Sequence, residues 1–321
     1  MGKVFIHVGL QKTGSTYLQT RFFPQLAGIL YIGRPYTQVN EAFNRLQFGD
    51  DVLYREDELR AEMGAIRERA GEKPILISDE LFAGYAPYGF CNRGLIASRL
   101  SAICPGAEIL LFLRGQEDEI VSLHNQYVKS GLFDGPLDAR FLSAPGAGFP
   151  LEKWMEGHRG WDKTARYFDN RALLSVEHFR YRPYISFLRQ KFARVHVFLY
   201  ESLRAESRET LTALSGRLGV PEISPPESGD SPVNEGIPAK LLDRRIRENR
   251  IVKAFPALEG RPARWIARVA DSVKGGFPES GRMFVRKRLR TAGIPGENRV
   301  LDEELDLGMS RFAGQYFQST E

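Results

Sequence analysis

FIHVGLQKTGSTYLQ, residues 5–19, begins as an apolar strand, breaks into a loop of Gly, Lys, Thr and Ser, and resumes as a helix. The first N–H groups of a helix lack intrahelical partners and carry the positive end of its dipole, so a loop delivered there suits an anion. Gly9 and Gly14 allow the backbone to turn closely, and Lys12 sits between them with Thr13, Ser15 and Thr16 beside it. A plain tight turn needs none of these hydroxyls and no lysine. The spacing Gly9-x4-Gly14-Ser15-Thr16 is similar to the phosphate loop G-x-x-x-x-G-K-[ST]. It departs in one place: Ser15 follows the second glycine, and the lysine lies inside the loop.

Composition sets the outer bounds. At 321 residues the chain can bury a large core, and its apolar, charged and aromatic fractions (42%, 26% and 11%) are those of a globular protein. A net charge of +5 favours anionic ligands and falls short of a nucleic-acid binder, so no nucleic-acid partner is expected. Cys91 and Cys104 have neither zinc-ligand nor disulfide-framework spacing. The strand starts almost at once after Met1, with no basic leader into a long apolar stretch, and no run reaches the roughly 18–20 apolar residues of a membrane span. The expectation is a cytoplasmic protein.

Short runs rich in Val, Ile, Leu and Phe alternate with helix-period segments. KVFIHV (3–8), PILIS (74–78), EILLFLR (108–114) and RVHVFLY (194–200) read as strands buried on both faces, with ALLSV (172–176) weaker. Helical stretches fall near 15–27, 57–70, 92–103, 117–130, 182–192 and 207–218. This alternation predicts an α/β fold, a parallel sheet with helices on both faces, and the opening loop makes the expected core a P-loop-like, nucleotide-binding one. Right-handed crossovers then bring the opening loop, SDELFAG, RGQEDE and ESL to one sheet edge. Residues 131–160 read as an irregular excursion, and PPESGDSPVNEGIP (225–238) as a loop forced by Pro and Gly. The expected division is an α/β domain over 1–245 and a basic helical extension over 246–321, packed on the same domain. Between Arg261 and Arg290 nine Lys or Arg stand against Asp271 and Glu279, a pattern that allows a membrane-surface contact.

Two further features converge on that edge. PILISDE (74–80) ends in Asp79 and Glu80, readable as a metal-holding Walker B pair, as a general base without metal, or, for Asp79, as a helix N-cap. LLFLRGQEDEIVSLHNQY (110–127) closes a strand with Arg114 and places Ser122 about two helical turns on, a pair able to grip one anionic group. The alternative is an Arg114 paired with Glu117 or Asp118.

Together these features resemble the sulfotransferases that use 3′-phosphoadenosine 5′-phosphosulfate. Their phosphosulfate loop K-[ST]-G-[ST]-[ST] is matched by Lys12-Thr13-Gly14-Ser15-Thr16, and their 3′-phosphate element by Arg114 and Ser122. LYESLRAESRETLTALSGRLGVP (199–221) is similar to the Y-E-D-L stretch and following helix, and SPVNEGIPAKLL (231–242) to a late loop of bacterial members. The resemblance spans 1–245. The Lys-Thr-His of the aryl and steroid enzymes is replaced by Asp79-Glu80, which looks like the carbohydrate-type enzymes, and the late R-K-G-x-x-G loop is missing. The resemblance implies transfer of a sulfuryl group from this donor to a hydroxyl of a saccharide or other small molecule. Lys12 and Glu80 are then catalytic, residues 12–16 with Arg114 and Ser122 bind the donor, and no metal is required. Asp79 is the second candidate for the base, and His124, two residues after Ser122, the next.

Two other classes stay in view. A P-loop hydrolase or kinase would use ILISDE as Walker B, yet it needs a lysine after Gly14 and has no use for Arg114 and Ser122. A non-catalytic anion binder would dock through the basic extension. The remaining histidines, His7, His158, His178 and His196, show no metal-ligand spacing.

Overall fold

The computed structural model describes residues 2–33, 43, 45–47, 49, 51–86, 89–144, 174–223, 239–254, 262 and 277–317. The excursion beyond residue 144, the loop 225–238 and the basic stretch 263–276 lie outside the described residues.

Five parallel strands form the central sheet: β1 (Val4–Val8), β2 (Leu30–Gly33), β3 (Ile75–Asp79), β4 (Glu108–Leu113) and β7 (Arg194–Leu199). Their order is β2-β3-β1-β4-β7, which puts β1 in the middle and its exit loop between those of β3 and β4. The period-2 alternation of β1 explains the two-sided packing. Val4, Ile6 and Val8 face one core with helices α2 (Glu56–Ala70), α3 (Arg93–Ile103) and α5 (Tyr181–Lys191). Phe5 faces the other, with Leu18, Phe22 and Phe23 after the opening loop and Leu211, Leu214 and Leu218 of α7 (Ser207–Leu218). The fold class is therefore α/β with helices on both faces.

Local chemistry sets several helix ends. Acidic Glu56, Asp57 and Glu58 open α2 and Arg67 and Arg69 close it, complementing the dipole, before Gly71 takes a positive φ of 61°. Gly219 ends α7 in the left-handed helical conformation, at φ 68° and ψ 33°.

The structure corrects four expectations. β2 was not foreseen, because ILYIG is short and follows the helical segment with only Gly28 between. The helix expected over 15–27 is α1 (Ser15–Tyr17) followed by a π turn (Leu18–Phe22) and a 3₁₀ turn, with Pro24 in that last turn and unable to donate a helical hydrogen bond. RVHVFLY lies at the sheet edge, so β7 is exposed at Arg194 and only half-buried over 195–198. The segment after it is a helix, α6 (Tyr200–Ala205), rather than a loop. The weak strand ALLSV survives as β6 (Leu174–Ser175), paired with β5 (Leu142–Ser143) away from the main sheet.

A third apolar cluster joins α4 (Gln116–Lys129) to α8 (Ala239–Ala254), α9 (Phe277–Thr291) and α10 (Ile294–Leu305), through Ile120, Leu123, Ile246, Val285, Leu289 and Ile294. Glu117, buried on α4, receives Arg282 and Arg286 of α9 at 2.8 Å each, and Asp118 receives Arg282 at 2.9 Å. Two of the basic-segment cations therefore point into the protein. Among the described residues no helix is long and apolar enough to cross a membrane.

Candidate active site

The opening loop ties itself locally. Thr13 Oγ1 donates to the Leu10 carbonyl at 2.6 Å, and Ser15 Oγ donates to the same oxygen at 3.3 Å. Lys12 and Gly14 are both left-handed, at φ 68° and 87°, while Thr13 between them is not. Such alternation curls successive N–H groups to one side and makes an anion-binding concavity. A left-handed lysine costs on the order of 1–3 kcal/mol, which the surrounding bonds must hold in place. A Cβ on Gly9 would lie 2.5 Å from Ser15 Oγ and 3.3 Å from Glu80 Cα, so only glycine lets the loop close on the end of β3.

The two carboxylates there divide sharply. Asp79 is fully buried, accepts from Gln47 Nε2, and caps the following 3₁₀ turn by accepting from the Leu81 N–H at 2.9 Å. Glu80 is half-buried on the loop side, where Thr16 Oγ1 donates to its Oε1 at 3.5 Å. The N-cap reading of Asp79 is the one the structure supports, and it leaves Glu80 at the loop.

Arg114, at the exit of β4, donates from Nη1 to the Lys12 carbonyl at 2.9 Å. Its guanidinium lies 4.7 Å from the centre of the Tyr200 ring, and the same ring would stand 3.2 Å from a Cβ on Gly14. Nε of Arg114 is buried and has no hydrogen-bond partner among the described residues. Glu117 and Asp118, the alternative partners that the sequence offers Arg114, bond Arg282 and Arg286 of α9. Burial lowers the Lys12 ammonium pKa, Glu80 opposes that, and the positive charges of Arg114 and Lys129 add to it. Lys12, Glu80 and Arg114, from three different strand ends, thus meet at one loop. Ser122 is half-buried in α4, and its side chain makes no hydrogen bond among the described residues.

The sequence reading missed several contributors. Lys129, seven residues beyond Ser122 and so on the same helical face, acts on Lys12. Behind Arg114, the Gly115 N–H donates to Glu201 Oε1 at 3.0 Å, and Tyr316 donates to Oε2 of that carboxylate. Tyr181 contacts the Arg114 backbone and Glu119. None of these has a local sequence signal; only the Y-E spacing of 200–201 marked that segment at all.

The histidines resolve as structural. His124 is buried beneath Phe133 and Phe141 and bonds the Gly135 carbonyl through Nε2 at 2.9 Å, which removes it as a base candidate. His7 is enclosed by Phe23 and Phe112 and bonds Ser78, and burial pushes its pKa down to about 3. His196 pairs with Glu108 at 2.6 Å, and His178 accepts from the Ser175 N–H at 3.0 Å. His158 lies outside the described residues.

No family model matches the chain, and no curated protein matches it. Among solved structures it is similar to the crystal structure of a sulfotransferase from Alicyclobacillus acidocaldarius, with 18% identity and a TM-score of 0.45, over 85% of this chain and 97% of that one. A likeness of that degree assigns neither donor nor acceptor.

Proposed function

We propose that this chain transfers a sulfuryl group from 3′-phosphoadenosine 5′-phosphosulfate to an acceptor hydroxyl of a saccharide or another small molecule. The observation that carries the reading is the meeting of Lys12, Glu80 and Arg114 around one N–H-lined loop. In-line displacement at sulfur builds negative charge on the bridging oxygen of the departing phosphate. Lys12 and the 12–16 backbone meet that charge, with the Ser15 and Thr16 hydroxyls nearby, in a half-buried setting where such donors act strongly. Glu80 takes the acceptor proton, and Thr16 steadies its carboxylate. Arg114, whose Nε is buried and unpartnered among the described residues, binds the 3′-phosphate together with Ser122. A lysine and a helix start serve the transferred group, so the chemistry calls for no metal.

The hydrolase reading is weaker on this geometry. Ser15 stands where that chemistry needs a lysine, and Asp79 is occupied by Gln47 and the Leu81 N–H. Thermal denaturation separates the two. A ligand bound only by the native state stabilises it by RT ln(1 + [L]/Kd). Adenosine 3′,5′-bisphosphate is expected to raise the melting temperature without magnesium, and ATP to raise it less. Stronger, magnesium-dependent stabilisation by ATP would reverse the assignment. A mass-read acceptor screen with labelled donor then identifies the substrate.

A further inference from the structure

We infer that Glu119 and Tyr181 are a positioning pair for Arg114, and that a proton on Glu119 goes with anion binding at Arg114. This rests on the reading of Arg114 as the 3′-phosphate partner. Hydrogen-bond counting leads there. Tyr181 Oη lies 3.4 Å from the Arg114 N–H, within bonding distance of the Arg114 carbonyl, and 2.6 Å from Glu119 Oε2. A phenol has one proton to give and two lone pairs to receive with. If Glu119 is ionised, that proton has two acceptors competing for it and one goes without. If Glu119 is a carboxylic acid, it donates to Oη, Oη donates to the Arg114 carbonyl, and the Arg114 N–H completes the set. Every group is then satisfied.

The surroundings agree. Glu119 is 1% exposed, on the first turn of α4, where the helix dipole favours the anion. Burial outweighs the dipole and pushes its carboxyl up to about 7; the Tyr181 bond, Arg114 and Arg93 oppose this, and Glu201 reinforces it. Those groups reach it from α5, the β4 exit, α3 and α6, and Tyr316 faces the same cluster from the short helix α11 (Ala313–Tyr316). An ionised Glu119 draws the Tyr181 proton off the Arg114 carbonyl and places a negative charge near the guanidinium. An anion arriving at Arg114 repels that charge and raises the proton affinity of Glu119. Binding therefore takes up a proton, and affinity falls as pH rises from about 7 toward the higher value of the complex.

The test is titration calorimetry of the full chain with adenosine 3′,5′-bisphosphate at about pH 7.5, in two buffers of different ionisation heat, so that proton exchange is read directly. The wild-type protein is expected to take up protons and to lose affinity with pH, about tenfold for each unit by which the ligand shifts Glu119. Glu119→Gln, whose amide still donates to Tyr181, should bind as tightly at high pH as at low pH, apart from the proton the ligand phosphate itself releases. Glu119→Ala should bind weakly at every pH, and 5′-AMP should show no uptake in any variant. Equal proton exchange in the wild type and Glu119→Gln would overturn the inference. If the variants do not fold, the wild type decides by the difference between ligands: more proton uptake with the 3′,5′-bisphosphate than with 5′-AMP supports the pair, and equal or smaller uptake overturns it. Absence of bisphosphate binding at every pH would overturn the donor assignment itself, and the inference with it.

Discussion

The opening loop and the exit of β4 both belong to the candidate site, yet they are built in opposite ways. The loop is held by its own neighbours: Thr13 and Ser15 bond a carbonyl three and five residues back. The β4 exit is held from afar, by Tyr181, Glu201 and the Lys12 carbonyl, 67, 86 and 102 residues away in sequence. A locally tied element shows in a window of eight residues. A remotely tied one shows only as an isolated arginine.

The largest expected effect bears on the end of β3, which flanks the opening loop on the side away from β4. Glu80→Gln should leave donor affinity and folding intact and cut turnover about 10²- to 10⁴-fold, the range for a positioned base. The loss should shrink with an acidic phenol as acceptor, and steady-state kinetics across acceptors of graded acidity would measure this. Asp79→Asn is the contrast: as a buried cap it should lower stability. If that variant folds normally and abolishes transfer, the base is Asp79.

Lys12→Ala comes next, with turnover reduced roughly 10²- to 10³-fold for every acceptor alike, since the lysine acts on the leaving group. A loss that varied with acceptor would move Lys12 to the acceptor side, and rapid-quench measurements on two unlike acceptors would reveal it.

For the remotely held end, Arg114→Ala should weaken adenosine 3′,5′-bisphosphate by about 1.5–3 kcal/mol, the worth of a charged hydrogen bond. Binding of 5′-AMP, with no 3′-phosphate, should change less. Equal losses for both would make Arg114 only the strut that supports the Lys12 carbonyl.

The smallest effect belongs to the loop's own tie. Thr13→Val removes one neutral hydrogen bond at almost constant shape, for about 0.5–1.5 kcal/mol of stability by denaturant titration. A much larger loss would show that the loop leans on its distant neighbours as heavily as the β4 exit does.

Legibility followed the same divide. Strands β1, β3 and β4 were readable because both faces are buried and the apolar runs are continuous. β2 was hidden by its four-residue length, and the helical character of 200–205 by its short span directly after β7. Lys12, Glu80 and Arg114 could be named from their positions at strand ends. What sequence could not supply was the remote support: Asp79, readable as a cap, also receives Gln47 on its other oxygen, and Arg114 is held by Tyr181, whose nearest local feature is an ordinary helix start. His124 misled because a histidine two residues past Ser122 is exposed or buried according to what packs on α4, and Phe133 and Phe141 decide that.

The Gly115 contact reaches into the timing of synthesis. A Cβ there would lie 2.6 Å from Gln315, so the backbone after β4 is roofed by residues made about two hundred positions later. At a translation rate of about 5–20 residues per second, β4 waits on the order of 10–40 s for that roof. A nascent chain can therefore pair its strands and shape the opening loop well before the arginine end is fixed. A chain ending before residue 313 would lack both the Gln315 cover over Gly115 and the Tyr316 bond to Glu201.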